Sequence, residues 1–137
     1  MAVLLDSGFL FASLNAAEAE HEATIHVLEA IRESIVLPIP AITEVAYLLA
    51  RDIGHEAASD FVAALAETEL TLEIPLKEDY SRCAEVLRQY SDANVDFVDA
   101  LIVAIAERLN ITRLLTLDRR DFRLIRPKHC ISFALLP

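Results

Sequence analysis

Residues 2–5 (AVLL) form an unbroken apolar run that stops at Asp6. The run is short and has no polar alternation, so it predicts a buried strand. Ser7 can cap a first helix, which Phe9, Leu10 and Leu14 suit. A second helix is expected over residues 17–34, with Ile25, Leu28 and Ile31 as its apolar stripe and its glutamates toward water. SIVLPI, residues 34–39, reads as a second strand ended by Pro38 and Pro40. Pro40 suits the first position of a helix, and AITEVAYLLARDI after it is apolar enough to be buried on most sides, ending at Gly54. A helix over residues 55–68 turns Phe61, Val62 and Leu65 inward. Residues 70–74 alternate like a strand, and residues 77–90 form a helix with Tyr80, Cys83, Val86 and Leu87 on one side. The segment 96–109 is an unusually apolar helix. Residues 113–117 form a strand ending at Asp118, and residues 130–135 a last short one.

Strands and helices alternate from end to end. That predicts an α/β fold, a three-layer α/β/α sandwich around a parallel-dominated sheet. With 137 residues, no linker and no internal repeat, one domain over residues 1–137 is expected.

Composition narrows the function. The formal net charge is −10, which excludes a broad electrostatic grip on nucleic acid. The average hides one basic lobe. Residues 108–128 carry seven basic residues against two acids, while residues 1–107 carry five against twenty. The lobe reads either as a solvated helix-to-strand edge or as a local phosphate-contacting patch. Gly8 and Gly54 are the only glycines, too few for a phosphate-cradling loop. Two cysteines, Cys83 and Cys130, give no disulfide framework, and a reducing setting is expected. No apolar run reaches the roughly 20 residues of a membrane span, and no basic leader opens the chain. No membrane partner and a cytoplasmic location are the expectation.

In open α/β sheets, sites form beyond the carboxyl ends of the strands. Asp6 and Asp118 follow strands, Glu44 lies early in the helix after Pro40, and Asp99 lies in the first turn of the apolar helix. In a parallel sheet all four point to one edge. Clustered carboxylates resist ionisation unless a cation sits among them, and an all-oxygen set suits Mg2+ or Mn2+. Each acid also has a plainer reading. Asp6 and Asp118 fit turns, Asp96 fits an N-cap with Asp99 completing a capping arrangement, Asp121 fits a cap, and Glu44 fits the helix dipole. Against these, Glu44 and Asp99 are flanked by core-like residues, Ile42, Val45 and Ala46 for one and Val98, Leu101 and Ile102 for the other. An unpartnered acid there is costly. Their matching topological places carry the metal reading.

Other chemistry fares worse. His21 and His26 are five apart, about 140° around a helix, and share no metal face. No GxSxG is present, Cys83 falls on an apolar face, and Cys130 has no activating partner in sequence. A phosphotransfer receiver needs a late lysine after a strand, and neither Lys77 nor Lys128 fills that slot. A haloacid-dehalogenase-type phosphatase wants an acid where Gly8 stands.

LLDSGFLFASLN, then PAITEVAYLLAR, then YSDANVDFVDALIVAIAERLNITRLLTLDRRDF resemble the successive blocks of PIN-domain ribonucleases. The resemblance runs in order over roughly residues 3–125, and the length is similar to that of VapC-type toxins of toxin–antitoxin pairs. It implies that Asp6, Glu44, Asp99 and Asp118 are the metal-binding acids, with Asp6 and Asp99 direct ligands and Glu44 and Asp118 acting through water or on the nucleophile. Asp96, Asp121 and Thr116 are accessory candidates, and Ser7 stands in for the hydroxyl that many members place where this chain has Gly8. It implies Mg2+- or Mn2+-dependent hydrolysis of RNA that leaves 5′-phosphate and 3′-hydroxyl ends, and the basic lobe makes Arg119, Arg120 and Arg123 the expected phosphate contacts. There is no Trp, and the three tyrosines fall mostly on expected core faces, so backbone and shape are the expected grip rather than stacking. A homodimer and a small antitoxin are the implied partners. The hydrophobic share of 55% fits coverage of some surface by another chain. The rival readings are a stand-alone nuclease and a weakly catalytic binding module on the same fold.

Overall fold

The computed structural model describes all residues, 1–137. Five strands, β1 (Ala2–Leu5), β2 (Ser34–Pro38), β3 (Thr71–Glu73), β4 (Arg113–Leu115) and β5 (Ala134–Leu136), form one sheet. Seven helices flank it: α1 (Ser7–Leu14), α2 (His21–Ala30), α3 (Ile39–Asp52), α4 (His55–Leu65), α5 (Lys77–Gln89), α6 (Phe97–Leu109) and α7 (Arg119–Leu124). Every strand pairing is parallel, in the order β3-β2-β1-β4-β5. The three-layer α/β/α architecture is the one the alternating pattern predicts.

Successive strand residues feed opposite cores, as the pleat requires. Leu4, Val36 and Leu114 join α5 and α6 on one face, while Val3, Leu5, Leu37 and Leu115 join α1, α3 and α4 on the other. From β1 the chain works outward through β2 and β3, then crosses back to place β4 on the other side of β1. The order reverses between β1 and β4, and that switch point is where such sheets open a crevice. No helix is long and apolar enough to cross a membrane.

Several elements depart from the sequence expectation. α2 starts at His21 and ends at Ala30, shorter than residues 17–34. The Asn15 side chain accepts from the Ala17 amide at 3.1 Å, a local turn that holds off the helix. Of the expected stripe, Leu28 and Ile31 pack against the core and Ile25 does not; Thr24 and Val27 complete the inward face. α3 is not buried on most sides. Ala41, Val45 and Leu49 make one buried stripe, and Tyr47 is 63% exposed. In α4, Phe61 is buried but Val62 faces out. In α5, Tyr80 is exposed while Cys83 and Val86 are buried. β4 ends at Leu115, because the Thr116 hydroxyl accepts from the Asp118 amide at 3.0 Å and turns the chain. The last strand starts at Ala134 rather than residue 130. α6 behaves as its composition demands, with Val98 to Ala106 buried without a break. It ends at Asn110, whose left-handed φ of 55° is a conformation Asn tolerates. Gly54, at φ 142°, makes the α3–α4 corner that a side chain would strain.

Candidate metal centre

The switch point gathers the acids. The Asp6 amide donates to the Leu115 carbonyl at 3.0 Å, so β1 is still paired to β4 where the carboxylate emerges. Asp6 then caps α1, accepting from the Ser7 amide at 2.8 Å with one oxygen. Its other oxygen accepts from the Thr116 hydroxyl at 2.8 Å. The Ser7 hydroxyl donates to Glu44 Oε1 at 2.7 Å, tying Glu44 of α3 to the end of β1. Ser7 thus places a hydroxyl between the Asp6 and Glu44 carboxylates.

Asp99 enters from α6 and is 5% exposed. Asp96 caps that helix, accepting from the Val98 and Asp99 amides at 3.1 and 3.4 Å. Asp118 is exposed at the start of α7, and Asp121 stands one turn later, buried. One oxygen each of Asp99, Asp118 and Asp121 lies within 4.8 Å of the others. Asp121 is partly satisfied: Arg120 Nη1 donates to it at 2.8 Å and the Asp96 amide at 3.2 Å. Asp99 Oδ2 is buried with no partner at all.

Burial, opposed by the bonds from Thr116 and Ser7 and aided by the charges of Glu44 and Asp118, pushes the Asp6 carboxyl up to about 6. Burial, the Asp6 charge and the nearby oxygens of Asp118 and Asp121 push Asp99 up to about 11. Groups held so far from ionisation mark a site built for a compensating charge. An orphaned oxygen inside an all-carboxylate cluster fits a hard divalent cation.

All four acids expected from sequence stand around this crevice, and the tightest donor set within it is Asp99, Asp118 and Asp121. Asp121, expected only as an accessory, is in contact range because it stands one helical turn from Asp118. Asp96 acts as the α6 cap. Arg120, expected on phosphate, donates to Asp121 and to the Ala93 carbonyl. Sequence reasoning missed two aromatics. Tyr47 and Phe97, 63% and 49% exposed, line a cavity of about 480 Å³ together with Glu44. The tyrosines thus do not mostly face the core. The available signal was spacing, since Tyr47 is one turn from Glu44 on α3.

The model of the family described as PIN domain matches residues 3–126. The chain belongs to the PIN domain family. Within that family it is similar to the curated ribonuclease VapC26 of Mycobacterium tuberculosis, 27% identical over 135 residues that cover 98% of this chain and all of the relative. Among solved structures, VapC20 of the same organism, a sarcin–ricin loop cleaving toxin, matches with a TM-score of 0.81 and 23% identity over 87% of this chain and 92% of that one. VapBC2 of Rickettsia felis, solved on a DNA fragment from its promoter, matches with a TM-score of 0.72 and 14% identity, over 98% and 97% of the two chains. A toxin–antitoxin complex of Klebsiella pneumoniae matches at 0.68 with 20% identity, over 90% and 92%. The PIN match spans β1 through α7, so it takes in every acid of the crevice.

Proposed function

We propose that this PIN-domain chain is a divalent-metal-dependent endoribonuclease and the toxin of a VapBC-type pair. The observation that carries the reading is the buried, unpartnered Asp99 oxygen inside the carboxylate crevice at the sheet's switch point. Its similarity to a curated ribonuclease over nearly the full chain supports RNA as the substrate.

Asp99, Asp118 and Asp121 would hold the ion, with Asp6 and Glu44 adding negative charge from the β1 side. When bound, Mg2+ or Mn2+ supplies Lewis acidity toward a phosphate oxygen and lowers the pKa of nearby water. The chain's own residues orient and hold. Thr116 and the Ser7 amide fix both Asp6 oxygens, leaving its rotamer no freedom. Ser7 fixes Glu44 in the same way. Asp118, the exposed acid of the cluster, would hold the ion from its solvent side, next to where an attacking water would be positioned. In-line attack of water at phosphorus forms the new P–O bond and breaks P–O3′; the water's proton passes to solvent and the departing 3′-oxygen takes one up, leaving 5′-phosphate and 3′-hydroxyl ends.

The test compares the wild type with Asp6→Asn and Asp99→Asn on mixed cellular RNA, with Mg2+, with Mn2+ and with chelator. Cleavage that needs metal and vanishes in both variants supports the reading. Cleavage that survives in both places the chemistry elsewhere. A homodimer and a small antitoxin belong to the same proposal. A short neighbouring gene for a basic DNA-binding protein favours the toxin role, and its absence favours a stand-alone nuclease.

A further inference from the structure

The cations of this chain sort into two kinds. Arg51, Arg82, Arg108, Arg113, Arg120 and Lys128 each have a carboxylate within ion-pair distance. Of the six that do not, three converge on one place. Arg119, Arg123 and Arg126, with Ser132, line a cavity of about 350 Å³. Its apolar wall includes Phe122 and Phe133, whose buried rings meet edge to face at 6.2 Å.

Helix geometry explains the sorting. Arg119 and Arg123 are one turn apart on α7, and Arg126 lies just beyond its end. Arg120, off that line, points back to Asp121. The backbone is pinned at one end, where the Arg126 amide donates to the Tyr90 hydroxyl at 2.9 Å, and the Arg119 guanidinium is held in place by its bond to the Pro137 oxygen. Three guanidiniums with no Asp or Glu in ion-pair range, two of them with no hydrogen bond from the guanidinium at all, in a chain of net charge −10, are a local demand for an anion. Three forks and one hydroxyl suit the oxygens of a phosphate.

We infer that this cavity seats a phosphodiester of the RNA strand, one beyond the bond that is cut. The inference rests on the nuclease reading for its ligand. It makes the arginine cavity, and not Arg120, the grip that holds the strand across the carboxylates. Placement favours RNA over a free anion. α7 begins beside Asp118 and is six residues long, a rise of about 9 Å. With phosphates roughly every 3.4 Å along a helical strand, a chain crossing the crevice reaches the arginines within a few nucleotides.

The experiment uses Asp99→Asn throughout, so that binding is read without cleavage. Affinity for a fluorescent single-stranded RNA is measured over a salt series. The background is compared with the same chain carrying Arg123→Ala and Arg126→Ala, and with a control carrying Arg32→Ala and Arg88→Ala, two arginines outside the cavity. The cavity pair is expected to weaken binding at least about tenfold at low salt. It should also flatten the log–log salt slope by roughly 1.4, the value for two lost single-strand contacts. The control pair should move neither. Equal losses in both pairs, unchanged binding in the cavity pair, or no RNA binding by the background overturns the inference. So does competition for the cavity by inorganic phosphate or an acidic peptide that leaves RNA affinity untouched. The nuclease reading is scored separately, with the Asp99 carboxylate restored. If RNA is cut and the cavity pair leaves KM unchanged, the inference falls and the nuclease stands. If RNA binds through the arginines but is never cut, the nuclease falls and the phosphate site stands.

Discussion

Two aspartates, Asp79 and Asp99, are buried to nearly the same depth, 2% and 5% exposed, and their surroundings are opposite. Asp79 sits in the first turn of α5. Its oxygens accept from Arg108 Nε at 3.0 and 3.1 Å, and from the Leu76 amide at 2.8 Å. Arg108 reaches on to Glu73 at 2.9 Å, and nearby Arg82 pairs with Glu107 at 2.7 Å. Every charge there has a partner. Asp99, in the first turn of α6, faces Asp6, Asp118 and Asp121 and keeps an oxygen with no partner. The fold gives Asp79 an arginine and gives Asp99 none; in the acid cluster the one nearby cation, Arg120, goes to Asp121. Burying an unpaired acid costs several kcal/mol, and the cation proposed above would offset that cost at Asp99.

The sharpest way to break the comparison is to neutralise each acid in turn. Asp99→Asn should lower RNA cleavage by more than the roughly 10–100-fold typical of losing an outer-shell metal partner. The same change should raise the thermal midpoint of the metal-free protein at neutral pH, because it removes an acid that must take up a proton to be buried. A lowered midpoint in chelator would show that Asp99 has a structural partner after all. Asp79→Ala should do the reverse. It leaves Arg108 with Glu73 alone and should cost about 3 kcal/mol in urea denaturation, the low end for a broken buried pair because Arg108 keeps that partner and is 20% exposed. Cleavage per folded molecule should survive.

The pH dependence sharpens the contrast. Asp6 is raised from 3.8 to about 6, so the folded state holds its proton longer than the unfolded chain. Below pH 3.8 the carboxyl is protonated in both states and costs nothing. As pH rises to about 6, the metal-free protein should lose about 3 kcal/mol on this account, and no more above it. Asp99 adds a loss of the same sign that continues to higher pH. Urea midpoints in chelator should therefore show a downward slope over roughly pH 4–6 that Asp6→Asn flattens. Excess Mg2+ at neutral pH should recover stability in the wild type and not in Asp99→Asn. An identical pH profile for wild type and Asp6→Asn would remove Asp6 from the strained cluster. The smallest effect expected is Ser7→Ala, which frees Glu44 from its 2.7 Å bond. About 1 kcal/mol of stability should go, with a severalfold loss of cleavage.

Much of the fold was legible in the sequence. Period and turn residues placed eleven of the twelve strands and helices, and adding only the six-residue α7 completes the set. The ends were less legible where side chains compete with the backbone, as Asn15 does before α2 and Thr116 does after β4. The exposure of Tyr47 was hidden because an apolar helix looks buried from any side until its neighbours are known.

The sequence alone determined the alternating order of elements, the acids at strand ends and helix starts, and membership of the PIN family. Those come from local spacing and from residue types in order. Only the tertiary structure decided which charges meet. It set Arg120 on Asp121 and left Arg119, Arg123 and Arg126 around a cavity. It gave Asp79 its arginine from 29 positions away and brought Thr116 to Asp6 across 110. The reason is physical. A charge's energy depends on burial and on neighbours within a few ångströms, and neither is fixed until remote segments pack.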